Sequence, residues 1–256
     1  MGGDNSGDNG LPYGGGSGNN NPQPQQNQNP CEKTKAMFAK TNVLQGITNI
    51  KAQALSTLNN VNAGEIGFKE KKDGTLVPAD VNSSHKVIYN DVTDGYGGYH
   101  NHTATGTHMF SPPDITETLF GFAAAQNNVA DAYFGMIAAE WCISCPNNVQ
   151  YIHYVIQYTG AASDLGTGGS YNFTSAQMTQ FLIDYRKKVN KLLKDPLYSN
   201  NNGAILNNIG LEKLFLDTLK NIGINGKVNL QRIESNGVIK NITENSNGTI
   251  NANPCP

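Results

Sequence analysis

Two histidines separated by one residue, His100 and His102, are the side chains in this sequence best suited to hold a metal ion. Successive side chains of a β-strand point to opposite faces, so these two imidazoles share one face of an extended strand. Ser111 follows nine residues after the second histidine, and Asp114 comes three residues later. Two imidazoles and one carboxylate make three protein ligands, and a catalytic zinc keeps its fourth position for water. The pattern therefore predicts a Zn²⁺-dependent hydrolase.

Hydrolysis of an amide bond needs two further groups beside such a metal. Zinc lowers the pKa of a bound water to about 7, which makes hydroxide available at neutral pH. A carboxylate must accept the proton of that water and pass it to the leaving amine. A donor must also stabilise the negative charge on the carbonyl oxygen, and the hydroxyl of Ser111 is placed to do so. An upstream part of the sequence must supply the carboxylate.

The same run of residues resembles the signature of the JAMM (MPN-plus) zinc metalloproteases. That signature also includes a glutamate on an earlier strand, just after the first helix. Glu65 lies in the matching Glu-x-Gly context, and Glu70 and Asp80 are alternatives for its role. The run 110–115, Phe-Ser-Pro-Pro-Asp-Ile, is similar to the bacterial JAB branch of the family. Thr103 stands where the family usually has a proline, a departure that concerns the geometry of the loop more than the metal ligands.

The resemblance implies a zinc-dependent peptidase or isopeptidase that hydrolyses an amide bond of a protein or peptide substrate. It assigns the general acid/base to Glu65, the oxyanion donor to Ser111, and the Zn²⁺ ligands to His100, His102 and Asp114. The implied fold is a JAB/MPN-like, cytidine-deaminase-like core over residues 31–160. Residues 161–256 have no counterpart in that core, and we expect them to form accessory helices and a β-hairpin packed on it.

The pattern of apolar residues predicts an α/β or α+β fold with one mixed sheet flanked by helices. Helical spacing occurs in four segments: 31–60, where Gly46 is expected to bend or break the helix, 111–127, 175–194 and 211–222. The run Ser-Pro-Pro-Asp at 111–114 also fits a helix start: Ser111 serves as the N-cap, proline suits the first helical position, and Asp114 completes a pattern like a capping box. Hairpins are predicted at 63–80 and 228–242, and single strands at 86–90, 99–102, 132–140 and 149–158.

Composition separates the first 30 residues from the remainder. Gly, Asn, Pro and Gln fill 23 of these 30 positions, which leaves little apolar surface to bury, so residues 1–30 are predicted to form a disordered tether. Such a tether suits an exported, cell-surface protein, either a lipoprotein or a module of a larger secreted chain, with a signal sequence outside the present sequence. The formal net charge of −2 gives no sign of nucleic-acid binding. No apolar run approaches the ~20 residues of a transmembrane helix.

The four cysteines indicate disulfides. Cys31 opens the folded region and Cys255 almost closes it, so a bond between them would join the termini and contribute roughly 5 kcal/mol by loop entropy. Cys142 and Cys145 form a Cys-x-x-Cys, for which a local disulfide is the leading interpretation, with a redox pair or two free thiols as alternatives. A structural zinc held by these two cysteines and His153 would lack a fourth ligand.

Other residues and functions have competing interpretations. His108 does not extend the histidine pair into the pattern of a metallo-β-lactamase, so we expect an ordinary loop residue. Trp141 and the tyrosines of 151–158 alternate in a way that suggests carbohydrate stacking, but packing is the safer interpretation. The alternative functions are a noncatalytic JAB-like binding module on a tether, and a processing or toxin module of a larger secreted protein.

Overall fold

The computed structural model describes residues 29–60, 62–84, 86–125, 129, 131–165, 173–200 and 203–256. Positions 1–28 of the tether predicted over residues 1–30 lie outside the described residues. Asn29 caps the first helix, because its side-chain oxygen accepts the backbone N–H of Cys31 at 3.0 Å. Pro30 occupies the first turn of this helix, where its missing N–H would have no partner.

Helices cover both faces of a central sheet. On one face lie α1 (Pro30–Phe38) and α2 (Thr41–Asn59). On the other face lie a π-helix (Asp114–Leu119), α3 (Phe120–Ala124), α4 (Ser175–Leu192) and α5 (Asn208–Ile222). Within the described residues, no helix combines the length and the apolar character needed to cross a membrane.

The central sheet is mixed, as the sequence predicts. Its strands are β1 (Gly67–Lys71), β2 (Leu76–Pro78), β5 (Gly95–Asn101), β6 (Tyr133–Trp141), β7 (Val149–Tyr158), β10 (Val228–Ile233), β11 (Ile239–Glu244) and β12 (Ile250–Pro254). Their order is β12-β11-β10-β7-β6-β5-β1-β2, and neighbours are antiparallel except β5 and β6, which are parallel. Two short ladders lie beside it: β3 (Asp80–Val81) with β4 (Val87–Ile88), and β8 (Ser199–Asn200) with β9 (Ile205–Leu206).

Side chains on the two faces of the sheet form two hydrophobic cores. Alternate residues of β6 face opposite sides: Phe134, Met136 and Ala138 pack toward the π-helix and α5, and Tyr133, Ile137 and Ala139 pack toward α2. Because helices cover both faces, β6 is apolar along its length rather than alternating with polar residues. The mixed sheet flanked by helices is therefore confirmed.

The helical segment 31–60 breaks at Ala39 and Lys40, and the prediction of a bend at Gly46 is wrong. Gly46 is buried inside α2, where a Cβ atom would come within 2.6 Å of the ring of Phe68 on β1. Glycine lets α2 approach the sheet, although it costs the helix about 1 kcal/mol of propensity relative to alanine. Close packing accounts for this glycine better than backbone freedom does.

The remaining predicted helices, hairpins and strands are found near their expected bounds, whereas β12 has no predicted counterpart. Its sequence is rich in Asn and contains Pro, residues that are depleted in strands, and it forms only at the edge of the sheet. The helix end expected near Asn127 lies outside the described residues. Strand β10 pairs with β7, so residues after 160 continue the sheet that the earlier residues begin.

Both predicted disulfides are confirmed. Cys31 is bonded to Cys255 across a sequence separation of 224 residues, and Cys142 is bonded to Cys145 across a separation of 3. The second bond excludes the alternative of two free thiols. The zinc alternative with His153 is also wrong, because this histidine is buried with its Nε2 atom 3.2 Å from the hydroxyl of Tyr99.

Loop length predicts very different contributions from the two disulfides. Replacing Cys31 and Cys255 by alanine should lower the free energy of unfolding by about 5 kcal/mol, because the long closed loop restricts the unfolded chain strongly. The bond between Cys142 and Cys145 closes a loop of only a few residues, so replacing both cysteines by alanine should lower the free energy of unfolding by about 2 kcal/mol. Urea unfolding followed by fluorescence measures both, and equal losses for the two pairs would contradict the prediction.

Candidate metal centre

Strand β5 carries the two histidines to the π-helix side of the sheet. Tyr99 packs in the core on the α2 side, and His100, the next residue, points the opposite way. The His100 ring stacks on Phe134, with the ring centroids 4.7 Å apart. His102 follows the last residue of the strand, and its Nε2 atom lies 2.9 Å from the Nε2 atom of His100. The expectation that the two imidazoles share one face is confirmed.

Asp114 meets the histidines from the first turn of the π-helix. Its Oδ1 atom lies 3.8 Å from Nε2 of His100, and its Oδ2 atom lies 4.0 Å from Nε2 of His102. The ligand atoms of these three residues all lie within 4.8 Å of one another, so the group could hold a metal ion. Helix formation at this point agrees with the prediction, although the first turns are π-helical. The π-helix is rare in proteins as a whole, but it occurs often at functional sites.

The spacing of these donor atoms fits a tetrahedral ion. Zinc bonds of about 2.0–2.1 Å place neighbouring ligands of a tetrahedron about 3.3 Å apart. The two Nε2 atoms are 2.9 Å apart, and with one carboxylate oxygen of Asp114 the three donor atoms lie within 4.8 Å of one another, so side-chain movements of about 1 Å would bring them to that spacing. Imidazole nitrogens and a carboxylate oxygen are common zinc ligands, and three of them leave one position for water or substrate.

A hydrogen bond orients His102 for metal binding, and burial favours the neutral form of His100. Nδ1 of His102 lies 2.7 Å from the carbonyl oxygen of Thr107 and donates its hydrogen to it, which leaves Nε2 of the neutral ring with a free lone pair. Burial lowers the pKa of His100 to about 4, and the Asp114 carboxylate opposes that effect. His100 is therefore neutral at pH 7, as a metal ligand must be.

Ser111 holds the carboxylate of Asp114 in place. Oδ2 of Asp114 accepts the backbone N–H of Ser111 at 2.6 Å and its hydroxyl at 2.7 Å. The bond to the backbone N–H is the reciprocal half of a capping box, and the hydroxyl donates to the carboxylate instead of capping the helix. The helix-start role and the ligand role predicted for these residues are compatible, because Oδ1 still faces His100.

Glu65 lies just before β1 and lines the same cleft as the histidines. Its Oε2 atom accepts the backbone N–H of Val87 at 3.2 Å. Burial raises the pKa of Glu65, and the charge of Asp114 adds to the rise, whereas His102, the Val87 N–H and Lys86 oppose it. A carboxyl group with a raised pKa is suited to accept and return a proton near neutral pH.

The two alternatives to Glu65 lie elsewhere. Glu70 is fully buried, with its carboxylate 2.7 Å from Nζ of Lys40 and accepting the hydroxyl of Tyr133 at 2.6 Å. Asp80 is exposed and accepts a hydrogen bond from Asn90 at 2.7 Å. Neither carboxylate lines the cleft, whereas Glu65 does, so of these three candidates the fold brings Glu65 to the cleft of the histidines.

A cleft of about 650 Å³ contains all five residues of the predicted site. Its other walls come from the β4 region, with Lys86 and Tyr89, and from α4, with Tyr185 and Arg186. The hydroxyl of Tyr185 donates to the carbonyl oxygen of Met109 at 2.9 Å and so fixes α4 against the loop that follows His102. Residues from the last third of the sequence therefore complete the cleft.

Sequence reasoning gives the wrong environment for two residues near this region. His108, expected to be an ordinary loop residue, is buried, with its Nδ1 atom 2.6 Å from Oε1 of Glu140. Trp141, expected to pack, is 57% exposed, and Tyr151 is 39% exposed, whereas Tyr154 and the other inward-facing positions of β7 are buried as expected. The partner of His108 is 32 residues away, and only the fold brings it close.

No protein-family model, curated protein or solved structure matches this chain. Any assignment of function must therefore come from the geometry and chemistry of the cleft.

The three-residue donor set predicts one metal ion per chain. Isothermal titration with Zn²⁺ should show one site in the parent protein. Asp114→Asn keeps the shape of the side chain but removes the charged ligand, so it should weaken binding by at least about 100-fold. Asp94→Asn is the matched control, because Asp94 pairs with Lys69 at 2.6 Å outside the cleft and should leave the affinity unchanged. Equal affinities in the two variants would remove Asp114 from the site.

Proposed function

We propose that this chain is a zinc-dependent peptidase or isopeptidase with a JAB/MPN-like core. The observation that supports it best is the convergence of Glu65, Ser111 and the His100–His102–Asp114 group in one cleft. The proposed ligands are His100 on β5, His102 directly after it and Asp114 on the π-helix. The Glu65 carboxylate comes from the segment before β1, in the order that the resemblance to JAMM enzymes implies.

Each residue of the cleft has a role in this reaction that its surroundings favour. When bound, zinc supplies a water of lowered pKa and polarises the substrate carbonyl. Glu65 accepts a proton from the attacking water and returns it to the leaving nitrogen, a role to which its raised pKa is suited. The hydroxyl of Ser111, which rests on Asp114, rotates toward the carbonyl oxygen as that atom gains negative charge.

The size and lining of the cleft are compatible with a peptide substrate. A volume of about 650 Å³ is in the usual range for ligand sites and admits a short stretch of peptide. Basic side chains at Lys86 and Arg186 and polar groups of the loop after His102 line the walls. These groups are compatible with an amide substrate and give no reason to prefer one side chain next to the cleaved bond.

We also propose that the protein acts outside the reducing cytosol, at the cell surface or in a secreted form. Two disulfides account for all four cysteines of the sequence. Disulfides persist in oxidising compartments and are rare in cytosolic proteins. The chemistry of the cysteines thus agrees with the export that the composition of residues 1–30 suggests.

Cleavage of peptides by the zinc-loaded protein tests the proposal. A tryptic digest of casein serves as the probe, and mass spectrometry detects new peptide termini. Glu65→Gln should bind zinc normally and slow cleavage by about 10²–10⁴-fold, because the amide cannot accept the proton. Glu32→Gln is the matched control, since it makes the same chemical change outside the cleft, where Glu32 pairs with Lys35 at 3.2 Å, and it should cleave at the parental rate.

Three results would contradict the peptidase proposal in different ways. Equal cleavage by the parent and Glu65→Gln would remove Glu65 from the reaction. Tight zinc binding without cleavage of peptides or of isopeptide-linked substrates would favour the noncatalytic binding module. Failure of the parent protein to bind zinc would exclude the metal centre itself.

A further inference from the structure

A buried chain of three polar side chains, His108, Glu140 and Gln150, lies beside the metal centre without taking part in it. Nδ1 of His108 is 2.6 Å from Oε1 of Glu140, and Oε2 of Glu140 accepts a hydrogen bond from Nε2 of Gln150 at 2.8 Å. His108 is 4% exposed and Glu140 is 6% exposed. Charged groups are costly to bury, so an ion pair at this position requires an explanation.

The partners of His108 determine its charge. Its Nδ1 atom faces the Glu140 carboxylate, and its Nε2 atom lies 3.2 Å from the carbonyl oxygen of Thr103. With Glu140 ionised, both partners are acceptors, and an imidazole that donates from both nitrogens is the imidazolium. In that form His108 joins the carboxylate to the backbone of the loop.

The His108 side chain connects a loop to the central sheet. Glu140 and Gln150 are register partners on β6 and β7, two long neighbouring strands of the central sheet. Thr103 and His108 belong to the loop 103–110, which has no strand or helix of its own. The His108 imidazolium thus fixes this loop to the sheet through one contact at Thr103 and another at Glu140.

The fixed loop in turn orients a metal ligand. Thr107, the residue before His108, accepts the Nδ1 hydrogen of His102 at 2.7 Å. Thr103, whose carbonyl oxygen His108 holds, follows His102 directly. His108 therefore positions Thr107, which binds the His102 ring, and Thr103, which follows His102 in the chain. A partner on the nitrogen that does not bind metal sets the tautomer and direction of a ligating histidine.

We propose that His108, Glu140 and Gln150 are positioning residues for the metal centre. They hold the loop 103–110 so that the Thr107 carbonyl keeps His102 in the tautomer that presents Nε2 to the metal. This inference rests on the metal site of the proposed function, and it concerns the residues of the chain itself, so it is testable before any metal is added.

A purely structural role must be separated from a positioning role. Arg232 and Glu212 form another buried ion pair on the same side of the sheet, with Tyr154 bonded to Glu212 at 3.3 Å. Replacing both members of a buried ion pair by apolar residues of similar volume is often neutral for stability, because no charge is left unpaired. The double variant His108→Leu/Glu140→Met and its matched control Glu212→Met/Arg232→Met should therefore both fold.

Nitrogen NMR of the histidine rings gives the first readout, in the metal-free protein at pH 7. In the parent, His108 should show two protonated ring nitrogens, and His102 a single tautomer with hydrogen on Nδ1. The His108→Leu/Glu140→Met variant should show His102 as a mixture of tautomers, while the Glu212→Met/Arg232→Met control keeps the parental signals. Glu140→Gln retains an acceptor for His108 and should restore most of the single tautomer.

Titration with Co²⁺, followed through its visible absorption bands, gives the second readout. The His108→Leu/Glu140→Met variant should bind about 10–100-fold more weakly with altered bands, as expected when the support of a ligand is lost. Parental His102 signals and affinity in that variant would overturn the inference while leaving the metal site intact. A neutral His108 in the parent would also overturn it, even if the variant failed to fold. A parent protein without any Co²⁺ or Zn²⁺ binding would overturn the inference together with the proposed function.

Discussion

The parallel pairing of β5 with β6 determines how the cleft is built. Antiparallel neighbours can be joined by a tight turn, but parallel neighbours need a connection that crosses one face of the sheet. Here the connection leaves β5 at His102, passes over the face to which His100 points, and returns at Tyr133. It therefore carries Ser111 and Asp114 back over the histidines. This crossover is what brings Asp114 and the two histidines, which are close in sequence, to the same point from opposite sides.

The grouping of the proposed metal ligands could be predicted from sequence because their spacing is local. The alternation of a strand and the start of a helix place His100, His102 and Asp114, and both rules act over a few residues. The assignment of Glu65 needed the resemblance to JAMM enzymes. No short motif predicts the pairing of β1 with β5 that brings Glu65 toward the histidines.

The features that sequence reasoning misses depend on contacts between distant segments. Gly46 looks like a helix breaker until Phe68 is packed against it, and His108 looks like a loop residue until β6 brings Glu140 to it. Strand β12 is unfavourable by composition and forms because β11 offers an edge to pair with. The loop after His102 contacts the His108 ring at Thr103, the residue that differs from the JAMM signature that the sequence resembles.

The disulfide between Cys31 and Cys255 has a mechanical consequence. It joins the first helix to the residue that follows β12, and the Lys35 ammonium also donates to the carbonyl oxygen of Pro256. A force applied through the N-terminal residues therefore passes covalently into the end of the chain at the far edge of the sheet. Neither β5 nor the crossover lies on that path. A pull between Asn29 and Pro256 would thus be borne by this bond, and the three residues of the candidate metal centre would lie outside the path of tension.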